Sequence, residues 1–133
     1  GINAMGFDSL IPFLEEFSNQ LNALSFTRAM DNKPWNGSDH MPFIIQGIPS
    51  ITLYAPINEA SSRFYHDFGD TFDKVDETTL SKSIAIISLL AYELANDDKL
   101  NLPRLTEEET IALLRKAKLE NPLRESGYWP FAD

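Results

Sequence analysis

The stretch from Gly37 to Asp76 constrains this chain more than any other. Its centre is an apolar run, Ile51-Thr52-Leu53-Tyr54, introduced by Gly47-Ile48-Pro49. On one side stands Gly37-Ser38-Asp39-His40-Met41-Pro42-Phe43. On the other stands Tyr65-His66-Asp67-Phe68-Gly69-Asp70-Thr71-Phe72-Asp73-Lys74-Val75-Asp76. From Ile48 to Tyr54 the residues are nearly all apolar and β-branched or aromatic, which predicts a strand buried on both faces. Such a strand suits the inside of a sheet covered by helices, so the fold class read here is α/β.

The flanking sequence supplies those helices. Asp8 or Ser9 can cap a first helix with Pro12 in its first turn, and Leu10, Leu14, Phe17, Leu21 and Leu24 recur at helical spacing on one buried face. Glu15 and Glu16 fall on the wet side. Phe26 to Met30 reads as a short strand, and Asp31 to Gly37 as a loop by its Pro, Gly and Asn content. A short helix is predicted from Asp39 to Gln46, with Gly47 as a left-handed stop. Residues 55 to 76 form a long aromatic-rich loop, the kind that carries function in a small domain. Asp76 caps the strongest helix, whose buried face is predicted as Leu80, Ile84, Ile87, Ala91 and Leu94. A third helix opens with the capping box Thr106-Glu107-Glu108-Glu109 and is stopped by Asn121-Pro122. Tyr128-Trp129-Pro130-Phe131 is an aromatic tail that packs on the body. The first residues, Gly1-Ile2-Asn3-Ala4, read as partly a cloning remnant.

Composition narrows the function. The chain has 133 residues, 43% hydrophobic and 11% aromatic, enough for a real core. A net charge of −9, with no basic patch, argues against nucleic acid or anionic lipid as partner. With no cysteine there is no disulfide, thiolate metal site or cysteine nucleophile. The longest apolar run, Ile84 to Ala91, is too short to span a bilayer.

Both histidines, His40 and His66, lie in the central stretch, each beside an aspartate. A neutral imidazole can bind a metal while a carboxylate fixes its other nitrogen, or it can serve as a general base. A lone histidine in a loop is more often a simple hydrogen-bonding residue. Spacing adds no short metal motif, and a triad built on Ser38 lacks the Gly-x-Ser-x-Gly elbow.

The two blocks together, Ser38-Asp39-His40-x-Pro42-Phe43-x-x-x-Gly47-Ile48-Pro49 and Tyr65-His66-x-x-x-Asp70-Thr71-x-Asp73-Lys74-Val75-Asp76, resemble the C-terminal half of the co-catalytic zinc exopeptidases, peptidase family M-28. The resemblance covers residues 8 to 95 and keeps the order and spacing of the blocks. It implies a three-layer α/β/α zinc-exopeptidase (phosphorylase/hydrolase-like) fold, of which residues 1–100 are the C-terminal part and 101–133 a helical extension with the aromatic tail. It implies that His66 is a zinc ligand, that Asp39, Asp70, His40 and Ser38 support the site, and that Tyr65 and Phe68 shape the substrate pocket. No catalytic residue falls in this chain, because the general base and the other ligands precede the first block in the family. Glu15-Glu16 does not replace them, since it sits on a helix face without the family's glycine-rich turn.

The implied parent enzyme is an aminopeptidase that uses two zinc ions and takes a peptide substrate, exported to the periplasm or surface of a bacterium. This chain alone is expected to be inactive and to bind zinc weakly or not at all. Its open sheet edge implies homo-oligomerisation. Two rivals stand beside this reading: a glutaminyl cyclase-like acyltransferase, whose family favours Trp where Tyr65 stands, and a non-catalytic binding protein that kept the fold.

Overall fold

The computed structural model describes residues 1–21, 30–55 and 59–132. Its three strands are β1 (Ile2–Asn3), β2 (Met30–Asp31) and β3 (Thr52–Leu53). They form one sheet in the order β2-β1-β3, with β1 parallel to β2 and antiparallel to β3. Among the described residues six α-helices accompany it: α1 (Ile11–Gln20), α2 (Met41–Ile45), α3 (Glu59–Ser62), α4 (Glu77–Asn96), α5 (Glu107–Lys116) and α6 (Glu120–Glu125). The result is helix-rich and compatible with an α/β class.

The N-terminal residues Ile2–Asn3 form the central strand of that sheet. Ile2 pairs with Met30 on one side and Leu53 on the other, and Ile2 and Ala4 are buried. Asn3 is buried too, and both ends of its amide are bonded. Its Oδ1 accepts from the Met5 amide at 2.8 Å, and its Nδ2 donates to the Lys33 carbonyl at 2.9 Å. A buried amide left without these partners would destabilise the sheet.

The strand expected over Ile48 to Tyr54 is shorter and placed differently. The strand β3 is Thr52 and Leu53, both half-buried, with Tyr54 exchanging hydrogen bonds with Gly1 just beyond it, and β3 lies at an edge of the described sheet. Pro49 has no N–H to give to a ladder, which confines it to edges and approaches. The apolar run therefore leads into the sheet rather than filling it. Of the strand expected at Phe26 to Met30, β2 includes Met30, and residues 22–29, with Leu24, lie outside the described residues.

The first helix follows its sequence pattern: Leu10, Leu14, Phe17 and Leu21 are all buried. Its cap does not. A short 3-10 turn over Asp8–Leu10 precedes α1, and the Asp8 carboxylate accepts a hydrogen bond from Asn32 Nδ2 at 2.6 Å. The α1 N-terminus itself has no side-chain cap.

The α4 helix is capped as expected, with Asp76 Oδ1 accepting from the Thr79 amide at 2.7 Å. Its buried line, however, is Ile86 and Leu90, with Leu89 and Leu94 packed alongside. Leu80, Ile84 and Ile87, expected inside, are 45%, 55% and 50% exposed. The helix carries two adjacent apolar stripes, and only one meets the body. By length and composition α4 is long and apolar enough to cross a membrane, which the eight-residue run inside it had not suggested. Core helices of soluble proteins meet the same test.

Around α5 the capping box is complete: Thr106 Oγ1 accepts from the Glu109 amide at 3.2 Å, and Glu109 accepts from the Thr106 amide at 2.8 Å. The helix ends before Asn121-Pro122. Lys118 adopts a left-handed backbone (φ 62°), so that the Leu119 amide reaches the Leu114 carbonyl at 2.9 Å. Pro122 then sits in the first turn of α6, where a missing N–H leaves nothing unsatisfied. Leu114, Leu119 and Leu123 join the same core as Ile2, Phe7 and Leu14, and Trp129 and Phe131 of the tail pack against it.

Candidate functional site

The fold presents the two histidine blocks in different states. In the first, Ser38 and Asp39 are exposed in a turn that leads into α2, and neither side chain has a polar partner among the described residues. His40 stands at the N-terminus of α2. Its Nε2 hydrogen-bonds the Trp35 carbonyl at 2.7 Å, and its ring lies 4.2 Å from the Trp35 ring. A carbonyl only accepts, so this contact places the ring proton on Nε2. His40 is thus a local clamp that folds the Trp35–Ser38 loop onto the start of α2.

Gly47 closes that element. It is left-handed (φ 70°), and a side chain there would place its Cβ 2.4 Å from the Leu105 carbonyl oxygen. The Leu105 amide in turn donates to the Gly47 carbonyl at 2.9 Å. The glycine stop read from the sequence is therefore also the point where the C-terminal segment closes on α2. Arg104 strengthens the contact, donating to the Gln46 backbone carbonyl and to Gln46 Oε1.

His66 is different in kind. It lies in the turns after α3 with a left-handed backbone (φ 62°), a conformation rare outside glycine that histidine, like asparagine and aspartate, adopts more readily than most. Its ring is exposed, packs 4.0 Å from the Tyr65 ring, and makes no hydrogen bond among the described residues. Strained exposed positions of this kind cluster at functional sites. Asp67 and Asp70 are exposed on the same loop and make the local field negative, which favours a cation.

Among the described residues no hydrogen bond joins Asp70 to His66. The loop is tied further along, in part by Thr71, which the family resemblance pairs with Asp70 as the residues that tie this loop down. Thr71 and Lys74 both donate to the Asp73 carboxylate, and these contacts hold the Asp73 carboxyl below the usual carboxylate range. Lys74 and Arg63 also sit over the Phe64 ring, at 5.2 and 4.7 Å from its centroid. The Thr-x-Asp-Lys spacing, an acid flanked by a hydroxyl and an ammonium, was the available sequence signal.

Tyr65 and Phe68, expected to shape a pocket, project outward, Phe68 entirely so at 105% exposure. A cavity of about 410 Å³ lies elsewhere, between Ile45, Gln46, Arg104, Leu105, Thr110 and Phe131. Among the described residues no three His, Cys, Asp or Glu side chains come together to hold a metal. A catalytic zinc takes about three protein ligands. His66 can donate one nitrogen, and the residues here do not complete such a site.

Comparison with known proteins agrees with the loop's character. The model of peptidase family M28 matches residues 7–91, which include both histidine blocks. Carboxypeptidase Q of Mus musculus is 28% identical over 104 residues, covering 78% of this chain and 21% of that protein. The chain thus spans about a fifth of the length of the curated relative it matches. No solved structure matches. The family is one of hydrolytic metallopeptidases, generally zinc-dependent.

Proposed function

The chain belongs to peptidase family M28, and from that premise we propose that it supplies His66 as one metal ligand of a zinc-dependent exopeptidase acting at the N-terminus of peptides. The observation that carries this reading is the contrast between the two histidines. His40 is consumed by the Trp35 carbonyl, whereas His66 offers its imidazole to solvent from a strained, acid-flanked turn inside the family-matched segment. The remaining ligands and the general base would come from outside the described residues. Zinc, where bound, supplies a Lewis acid and activates water. This chain's own part is to hold the imidazole outward, with the Asp73 ties fixing the loop beneath it. Alone, the chain is inactive.

A second reading concerns only the end of the peptide attacked. The similar mouse protein is called a carboxypeptidase, which favours the C-terminus. Peptides blocked at one end or the other separate the two.

The test places His66→Ala in a protein that carries this sequence together with the rest of the peptidase domain. We expect a loss of hydrolysis beyond about 100-fold, the size reached when even an outer partner of a metal site is removed. Bound zinc, measured by elemental analysis, should fall with it, while His40→Ala leaves zinc content intact. Unchanged zinc and activity in the His66 variant would overturn the assignment.

A further inference from the structure

We propose that Asn36 is a site of spontaneous deamidation, with the Gly37 backbone nitrogen as the internal nucleophile and water as co-reactant. Asn36-Gly37 is the one Asn-Gly pair in the sequence. Both residues are exposed, in the bend that precedes α2. Gly37 has φ 113°, and beyond its chain neighbours no atom lies within 4 Å of where its Cβ would be, so the bend around the pair is open. The Gly37 amide and the Asn36 side chain make no hydrogen bonds among the described residues. Glycine removes the steric barrier to closing the ring, as it does wherever backbone must come close.

Five other described asparagines act as internal controls. Asn32 is held at both ends, accepting from the Gly6 amide at 2.7 Å and donating to Asp8 at 2.6 Å. Asn3 is buried and bonded. Asn96 donates to the Tyr92 carbonyl at 2.7 Å. Asn121 precedes Pro122, which has no N–H to attack with. Asn101 precedes Leu102, whose side chain obstructs the same closure.

The steps balance without any other reagent. The Gly37 nitrogen bonds to the Asn36 side-chain carbonyl carbon. The amide nitrogen leaves as ammonia, carrying the Gly37 proton, and a five-membered imide remains. Water then opens either carbon–nitrogen bond of the ring, giving aspartate or isoaspartate. The rate rises with pH because the attacking nitrogen must lose its proton.

Either product adds a negative charge beside the Trp35 carbonyl that clamps His40, and isoaspartate also lengthens the main chain there by one carbon. The site therefore ages at the entry to the Ser38-Asp39-His40 block. Asn36-Gly37-Ser38 also fits the Asn-x-Ser pattern for attachment of a glycan, which needs a dedicated enzyme, whereas deamidation needs only water.

The experiment incubates the purified chain at mildly alkaline pH beside a short Asn-Gly-Ser peptide, and follows ion exchange, mass and peptide maps. We expect an acidic species heavier by about one mass unit, mapped to Asn36 and labelled by isoaspartyl methyltransferase, with the Asn32 peptide unchanged. Asn36→Gln should abolish it. Three outcomes overturn the proposal: Asn36 intact after the peptide has reacted fully, the acidic species persisting in Asn36→Gln, or a glycan on Asn36 in the native protein.

Discussion

The C-terminal helix pair and the segment from α3 through α4 draw on different sources of order. In α5 and α6, local and tertiary terms agree. A complete capping box starts α5, Leu114 and Leu123 are fully buried, and Glu120 joins Arg115 and Arg124 at 2.7 and 3.0 Å. In the other segment, Asp76 caps α4 and the Asp73 ties hold the loop, yet Ile84 and Ile87 are about half exposed and His66 is exposed as well. One region is consistent at every level. The other keeps its chemistry and half its apolar surface in the open, as functional segments tend to do.

The sharpest way to break that contrast is to truncate one leucine or isoleucine in each region. Leu114→Ala should destabilise by about 2–5 kcal/mol, because it leaves a cavity in the core. Ile84→Ala should stay within about 0.5 kcal/mol, as surface substitutions do. Chemical denaturation measures both, and equal losses would mean that the outer face of α4 is covered in solution.

Thr106→Ala tests the cap and should lower stability by about 1 kcal/mol. Thr106→Ser should restore most of it, since either hydroxyl can accept from the Glu109 amide. No difference between the two variants would remove the capping box from the contrast.

The smallest effect concerns acid. Hydrogen bonds from Arg115 and Arg124 lower the Glu120 pKa from 4.5 to about 2. A carboxylate depressed in the folded state contributes stability above its unfolded pKa, and that contribution fades as pH falls through the folded value. Between pH 4.5 and about 2 the wild type should therefore lose stability more steeply than Glu120→Gln. Thermal melts at stepped pH would show it, and parallel curves would dissolve the claim. The pair is solvent-facing, so salt should blunt the difference.

Much of this was legible beforehand. The Leu10, Leu14, Phe17, Leu21 spacing carries its own burial, because a single apolar stripe on a helix leaves one face to hide. Thr106 with Glu109, Asp76 before α4 and the Gly47 stop are satisfied within a few residues, so local chemistry suffices. What misled were the cases where local signals admit two answers. In α4, Leu80, Ile84 and Ile87 and the neighbouring Ile86 and Leu90 are both plausible inner faces, and period alone does not choose between adjacent stripes. At the N-terminus, two residues of strand have no period to read. In Asn121-Pro122 the same proline that ends one helix can open another.

At the site, the sequence distinguished the loop and, through the resemblance, Asp70-Thr71 as its tie, but not the part of Asp73 and Lys74. It placed both histidines in blocks that match peptidase family M28, while the Trp35 carbonyl that occupies His40 and the outward turn of His66 emerge only from the folded chain. By itself, then, the sequence determined the caps of α4 and α5, the Gly47 stop, the absence of cysteine chemistry and the family. The tertiary structure decided which stripe of α4 is buried, that Ile2–Asn3 is the central strand, and which imidazole is left unspent. The physical reason is range: caps and turns are closed by neighbours in the chain, whereas burial and hydrogen-bond partnership depend on residues that meet only after folding.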